Sequence, residues 1–230
     1  MTFTVVFFLL ILVLNSPVVQ TKLASHITNQ INKDYSTDIN VNQVAIGFKG
    51  DVLLKDVFIA DQREDTLFYA KNIKTDLNIL DQLLEGKFVL HNATLDGLYL
   101  RINQYEEDNS LKSFINKLNS KQNSKKKNKD LFIALDNLTI LDGIIINSNQ
   151  QDASKDYSIN NISLKATDFY LIGKEIEAKI VTSNFNSKEF GNLESLEGDL
   201  FYSPCFMNLG SLKIKTQNSV LKGELSLSNN

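Results

Sequence analysis

The sequence predicts a mainly β protein with an N-terminal transmembrane helix and a few short packing helices. Three observations predict this fold class: an uncharged apolar start, an amphipathic helix directly behind it, and alternation of apolar and polar residues over most of the remaining chain. Of the 230 residues, 43% are hydrophobic and 22% are charged, so the chain can bury a sizeable core.

The first segment, residues 1–20, is predicted to be a transmembrane signal anchor. No charged side chain occurs from Met1 to Thr21. The apolar run is shorter than the ~20 residues that a perpendicular span prefers, and no Lys or Arg precedes it, so we expect the true start to lie upstream. The predicted anchoring side chains are Phe3, Val5, Val6, Phe7, Phe8, Leu9, Leu10, Ile11, Leu12, Val13 and Leu14.

Two alternatives for this segment are weaker. A cleaved signal peptide would need a small-x-small cleavage site, and the residues that follow Leu14 are Asn-Ser-Pro. A buried core helix is seldom apolar on every face at the start of a chain. An uncleaved anchor is therefore the favoured interpretation.

Residues 17–34 are predicted to form an amphipathic helix. Ser16 followed by Pro17 has the form of an N-cap and a first helical residue. Apolar residues then recur every four positions, at Val19, Leu23, Ile27 and Ile31. This spacing places them on one face of a helix.

Residues 38–118 are predicted to be a first β-rich segment. Alternation is clearest at Leu98, Leu100 and Ile102, whose neighbours Tyr99, Arg101 and Asn103 carry polar groups. Two short helices are expected to interrupt this segment, near residues 76–85 and 109–118, because apolar residues return there to helical spacing.

Residues 119–130 contain no apolar side chain and are predicted to be a flexible polar linker. A second β-rich segment, residues 131–230, follows and is expected to be truncated. The motif Leu-Asp-Gly at residues 95–97 recurs at residues 141–143, and each copy predicts a tight turn that feeds a strand. The recurrence fits chance as well as genuine repetition.

No pattern in the sequence indicates an enzyme, a cofactor or a metal site. His26 and His91 are isolated from each other and from other candidate groups, so they make a poor catalytic set. Cys205 has no His nearby in sequence and is predicted to be a buried structural thiol. The chain is therefore expected not to be an enzyme.

Two acidic clusters do not indicate a calcium site, and the overall charge does not indicate nucleic-acid binding. The clusters lack the spacing of a calcium loop and are predicted to be solvated turns. Their members are Asp61, Glu64 and Asp65, and Glu106, Glu107 and Asp108. The net charge is −3 and no basic stripe occurs outside one short lysine run, so we expect no nucleic-acid partner.

The order of elements resembles the TamB family of the AsmA-like superfamily, the inner-membrane subunits of the translocation and assembly module. Pro17 and Gln20 match a Pro-x-x-Gln that follows the anchor in that family. The later matches are Leu54-Lys55-Asp56-Val57 with Ile59 and Asp61, Leu83-Leu84-x-Gly86, Leu95-x-Gly97-Leu98, and the strand pair at residues 212–228. No single match is diagnostic, but the ordered set is.

This resemblance implies a curled, open, antiparallel-rich β sheet, a taco-like groove held to the bacterial inner membrane by a single pass. The bulk of the chain would lie in the periplasm. The implied roles are phospholipid transport to the outer membrane and support of outer-membrane protein translocation, assembly and secretion. The implied partners are membrane phospholipids and the outer-membrane barrel protein of the assembly module. Family members are much longer than this chain.

The candidate groove-lining residues share the apolar side of the predicted strands. They are Leu98, Leu100, Ile102, Ile162, Leu164, Leu212 and Ile214. Alternation alone fits a closed sandwich core equally well, so this alternative stays open. A second functional hypothesis is a scaffold whose exposed β edges dock proteins during envelope assembly without conducting lipid.

Overall fold

The structure is a computed structural model and describes residues 16–47, 50–76, 87–106, 108–119 and 132–228. The predicted anchor residues Phe3 to Leu14 lie outside the described residues, as do residues 77–86 of the first predicted short helix and most of the predicted linker. Asp76, where that helix was expected to begin, is the last residue of a strand.

The described residues form two α-helices, one short 3-10 helix and ten strands. The helices are α1 (Pro17–Tyr35), α2 (Ser110–Asn119) and the 3-10 turn Ala153–Lys155. The strands are β1 (Asp38–Ile46), β2 (Asp51–Ala60), β3 (Thr66–Asp76), β4 (Lys87–Gln104), β5 (Phe132–Asn149), β6 (Tyr157–Ile172), β7 (Glu175–Ser187), β8 (Gly191–Ser203), β9 (Phe206–Lys215) and β10 (Val220–Ser228). The fold is mainly β, as predicted.

All ten strands belong to one open sheet, in which they stand in chain order from β1 to β10. Every neighbouring pair is antiparallel except β4 and β5, which are parallel. Because of this pairing, the two predicted β-rich segments join into a single sheet. The described strands form one layer and not the two facing sheets of a sandwich.

Helix α1 covers the outer edge of β1 with side chains that bind the strand backbone. Thr21 Oγ1 accepts from the Val44 N–H at 3.0 Å and donates to the Val44 carbonyl at 3.3 Å. Asn32 does the same for Ile39, at 2.9 and 2.8 Å. The helix therefore satisfies backbone groups that an edge strand otherwise leaves unpaired.

The start of α1 confirms the predicted boundary. Ser16 has extended N-cap backbone angles and Pro17 takes the first helical position, although the Ser16 hydroxyl makes no capping hydrogen bond. Ser36 ends the helix in a left-handed conformation, φ 51°, and the Ser36 N–H donates to the Asn32 carbonyl. Of the predicted apolar face, the Val19 side chain is described and is half-buried.

Helix α2 confirms the second predicted short helix and lies in the connection between the two parallel strands. A parallel pair needs such a crossover, because the chain must return to the same end of the sheet. The helix packs on β4, and Ser110, which is fully buried at its start, accepts a hydrogen bond from the Asn103 N–H at 2.9 Å.

The two Leu-Asp-Gly motifs do not form turns. Both lie inside 18-residue strands, β4 and β5, which run side by side. Gly97 has φ 64° and Asp142 has φ 53°, and the register of β5 shifts against β6 at this point. The second copy therefore forms a β-bulge, whereas the first places left-handed Gly97 in a strand whose register does not shift. Both need the left-handed residue types that a tight turn also selects.

At one end of the strands, several groups are hydrogen-bonded to Asp61, which is only 6% exposed. Its carboxylate accepts hydrogen bonds from the N–H groups of Arg63 and Asp65, from Asn103 Nδ2 at 3.1 Å and from the Tyr105 hydroxyl. The prediction that Asp61 belongs to a solvated turn is thus wrong, because strand β4 supplies partners that are distant in sequence. Glu64 and Asp65 are exposed, as expected.

Candidate functional site

A row of side chains, apolar at all of its positions but Ser183, crosses the sheet from the first strand to the last. Each member is the direct register partner of the next, so all ten side chains lie on one face. The apolar row consists of Val44, Leu54, Ile73, Leu95, Ile140, Leu164, Ser183, Leu196, Ile214 and Leu221. Nine inter-strand steps of ~4.8 Å make this row about 43 Å long.

Exposure along the apolar row rises from one end to the other. Val44, beside α1, is 5% exposed, the members on β2 to β9 are half-buried, and Leu221 on β10 is 58% exposed. The row is therefore covered where it starts and accessible where it ends.

A second apolar row lies parallel to the first, two or three residues away along each strand. Its members are Ile46, Val52, Thr75, Ala93, Leu138, Ala166 and Ile180. Val52, Ala93 and Ala166 are buried. Together the two rows form a mainly apolar band two side chains wide on one face of β1 to β7.

The opposite face carries a polar row between these two apolar rows. From β3 to β7 its members are Lys74, Thr94, Thr139, Lys165 and Thr182. Lys74 and Lys165 are exposed. At this level of β3 to β7, apolar and polar residues therefore lie on opposite faces of the sheet.

Left-handed residues flank the apolar row on both sides. Asp56, Gly97 and Asp142 each stand two residues after a member of the row, with φ of 49°, 64° and 53°. Asp168 and Ser211, with φ of 51° each, lie on the other side of the row, on β6 and β9. The register shifts beside Asp142, Asp168 and Ser211, which therefore lie in β-bulges, and not beside Asp56 or Gly97. A bulge bends a strand without ending it.

The bulge at Asp142 also keeps apolar side chains on the same face. A Cβ atom placed on Gly143 would lie 3.1 Å from Ile140 Cγ2 and 3.1 Å from Ile162 Cβ. Gly143 thus faces the side of Ile140 although it is three residues further along, because Asp142 takes up the extra residue. Without the bulge, alternation would turn this position to the polar face.

A hydrogen-bonded network occupies the polar face beside the left-handed residues Asp56 and Gly97. The Asp56 carboxylate accepts from the Tyr69 hydroxyl at 2.7 Å and from Asn42 Nδ2 at 3.0 Å. These bonds hold the pKa of Asp56 below its usual range. Asn72 Nδ2 donates to Asp96 Oδ2 at 2.9 Å one strand further on. The network links strands β1 to β4.

The predicted groove-lining residues all lie in strands, and two of them, Leu164 and Ile214, are members of the apolar row. Leu98, Ile162 and Leu212 are buried, and Leu100 and Ile102 are half-buried. Sequence reasoning missed Leu54, Leu95 and Ile140 in the row. A shared signal could have found them: an apolar residue two positions before an Asp or Gly, then a strand that continues.

The other candidate residues do not converge. His26 is exposed on α1, and His91 Nδ1 lies 2.7 Å from Asp136 Oδ2 on the exposed surface of β4 and β5. Cys205 is exposed, so its prediction as a buried thiol is wrong: the Pro-Cys turn between β8 and β9 has no layer above it. Within the described ranges, no group of three or more His, Cys, Asp or Glu could hold a metal ion.

No helix among the residues from Ser16 onward that the structure describes is long and apolar enough to cross a membrane. Searches of known protein families and of curated proteins found no match to this chain.

Proposed function

We propose that this chain is an inner-membrane-anchored periplasmic protein that provides a hydrophobic β groove for phospholipid transport to the outer membrane. In this role it also supports the translocation and assembly of outer-membrane proteins. The observation that carries the proposal is the apolar row, which runs unbroken across ten strands except for Ser183. An acyl chain lying along it would gain about 25 cal/mol for each Å² of apolar surface removed from water.

Two observations support a curled sheet. Apolar side chains such as Ala70, which is 0% exposed, are buried although the described strands form a single layer. The left-handed residues Asp56, Gly97 and Asp142 stand at the same level on their strands, and the bulge at Asp142 bends the sheet there. A sheet that curls toward its apolar face would shield the apolar row and leave a groove.

The position of α1 supports an entrance near the membrane. The apolar row begins at Val44, whose backbone is bound by Thr21. Thr21 is only a few residues beyond Leu14, the last residue of the predicted anchor. An acyl chain leaving the bilayer would therefore meet the apolar row at its covered end, close to the inner membrane.

Site-specific photocrosslinking tests this function. A photoreactive side chain at Leu164 stands in the apolar row, and one at the adjacent Lys165 stands in the polar row on the opposite face. In the full chain, purified in a mild detergent from bacterial membranes, we expect phospholipid adducts at position 164 and none at position 165. Mass spectrometry of the crosslinked protein identifies them.

A charged substitution gives a second readout. Leu164→Asp should abolish co-purified phospholipid, whereas Lys165→Asp should leave it unchanged. Equal adducts at positions 164 and 165, or no bound phospholipid in the unmodified chain, would contradict the proposal.

The second candidate function, a scaffold that docks envelope proteins without conducting lipid, is favoured by one observation. Several large apolar side chains are exposed on the described strands, such as Val181 at 47% and Ile172 at 46%. Crosslinks from these positions to an outer-membrane barrel protein, together with an absence of lipid at position 164, would favour the scaffold.

A further inference from the structure

Ser183, on strand β7, is the polar member of the apolar row. Its register partners in the row are Leu164 on β6 and Leu196 on β8. The residue is half-buried, and within the described part of the chain its hydroxyl makes no hydrogen bond. A hydroxyl can both donate and accept, so this group is available to a ligand that lies along the row.

The backbone around Ser183 is also irregular. On one side of the pair that Ser183 forms with Leu196, β7 contributes two residues where β8 contributes one. On the other side, β8 contributes two residues where β7 contributes one. Such bulges leave the extra residue without its ladder hydrogen bonds. Polar groups of the backbone are therefore concentrated beside the hydroxyl.

The second apolar row ends at the same strand. Its last member is Ile180 on β7, whose partner on β8 is Gly198, which has no side chain. Leu196 and Ile214 continue the first row beyond β7, but the band formed by both rows covers β1 to β7. The strand that carries the Ser183 hydroxyl thus stands at the end of this band.

The two rows match a phospholipid with two acyl chains. The hydrocarbon core of a bilayer is about 30 Å thick and holds two leaflets, so one chain spans about 15 Å. Neighbouring strands are about 4.8 Å apart, so a chain that starts at Ser183 and runs toward β1 ends near Leu95, three strands away. The positions that it crosses, Leu164, Ile140 and Leu95, are all apolar.

We infer that Ser183 binds the ester–glycerol region of a phospholipid whose two acyl chains lie along the two rows toward β4. This assignment rests on the proposed function and adds the orientation of the lipid. Ester carbonyl oxygens accept hydrogen bonds from a hydroxyl and from backbone N–H groups, and this part of β7 supplies both. The opposite orientation places the esters over Leu95, between Ile73 and Ile140, where no side chain of the row donates to them.

Photoreactive phospholipids test this orientation without changing the protein. One probe carries a diazirine on the acyl carbon next to the ester, and the other carries it at the methyl end of the same chain. The full chain is reconstituted into vesicles of phosphatidylethanolamine and phosphatidylglycerol that contain one of the probes, and tryptic peptides are mapped after illumination. Cleavage after Lys and Arg places Ser183 in residues 180–188 and Leu95 in residues 88–101.

The two probes should label different peptides. We expect the ester-proximal probe to label residues 180–188 and the methyl-end probe to label residues 88–101. Equal labelling of both peptides by both probes, or the reverse pattern, would overturn the orientation and leave the proposed function standing. An absence of label from both peptides with either probe would refute lipid binding by the row itself, and the assignment would fall with it.

Substitutions on β7 give a second test. Ser183→Leu removes the hydroxyl and should lower ester-proximal labelling of residues 180–188 about 2- to 10-fold. Ser183→Thr keeps a hydroxyl and should retain the labelling. The matched control Asn184→Leu changes the adjacent exposed side chain on the opposite face and should have no effect. Circular dichroism shows whether each variant is folded, and equal labelling of folded Ser183→Leu and the unmodified chain would refute the role of the hydroxyl.

Discussion

The side-chain amide of Gln20 in helix α1 both donates a hydrogen bond to the backbone of Ile46 and accepts one from it. Its side-chain nitrogen donates to the Ile46 carbonyl at 3.2 Å, and its side-chain oxygen accepts from the Ile46 N–H at 2.8 Å. A neighbouring strand would offer the same donor and acceptor. Helix α1 thus substitutes for a strand at the outer edge of β1.

Removing this amide should weaken the attachment of α1. Gln20 is 8% exposed, and Gln20→Ala leaves the N–H and carbonyl of Ile46 without a protein partner. We expect the free energy of unfolding to fall by about 1–3 kcal/mol, measured by chemical denaturation of the full chain in detergent. The control is Lys22→Ala on the exposed side of the helix, and equal losses in the two variants would argue against the pairing.

A side chain at Gly97 should cost stability, because the backbone there is left-handed. Its φ is 64°, and a Cβ atom there would lie 3.0 Å from Lys71 Cβ. Gly97→Ala should therefore cost about 1–2 kcal/mol of stability. Gly210→Ala is the matched control, because its nearest contact would be an ordinary 3.5 Å to Asn208 Oδ1, and it should change stability by less than about 1 kcal/mol. A neutral Gly97→Ala would show that the left-handed backbone is not required.

Asp61 should make stability depend on acid pH. Burial raises the pKa of its carboxyl, but hydrogen bonds from Tyr105, Arg63, Asn103 and Asp65 outweigh burial and hold the pKa below the ordinary 3.8. Its contribution is complete above the unfolded-state value and is lost as the pH falls through the lowered folded value. Asp61→Asn should cost about 1–3 kcal/mol at pH 7 and flatten the loss of stability below pH 4.

The test compares how the stability of the unmodified chain and that of Asp61→Asn change with pH. Denaturation of both chains between about pH 2 and pH 7 should give curves that converge at low pH. Parallel curves would mean that folding does not lower the pKa of Asp61. The Tyr105 phenol offers an independent check, because burial and Asp61 raise its pKa to about 12.

The exposed pair His91 and Asp136 should shift a histidine titration. The hydrogen bond and charge of Asp136 raise the pKa of His91 above 6.5. Because the folded pKa is raised, the stabilising effect is complete below the unfolded value and is lost as the pH rises through the folded value. Nuclear magnetic resonance of the imidazole should report a pKa that falls on Asp136→Asn. An unchanged midpoint would contradict the pairing.

Local patterns in the sequence predicted both described helices, because α1 and α2 depend on spacing and on caps within a few residues. They also predicted strands around Leu98, Ile162 and Leu212. The parallel pairing of β4 with β5 could not be predicted, since it depends on how a long connection crosses the sheet. Leu-Asp-Gly was misinterpreted because turns and bulges select the same residues, and the burial of Asp61 depends on Tyr105, 44 positions away.

Because neighbours in the sheet are neighbours in sequence, each strand from β2 onward can add to a strand that was synthesised just before it. Folding can then proceed from the N-terminal end while the rest of the chain is still being made. The connection through α2 is the exception, because β5 must return to the far end of β4 before pairing can resume. Closing that longer loop costs additional entropy, so we expect a pause in folding at this strand.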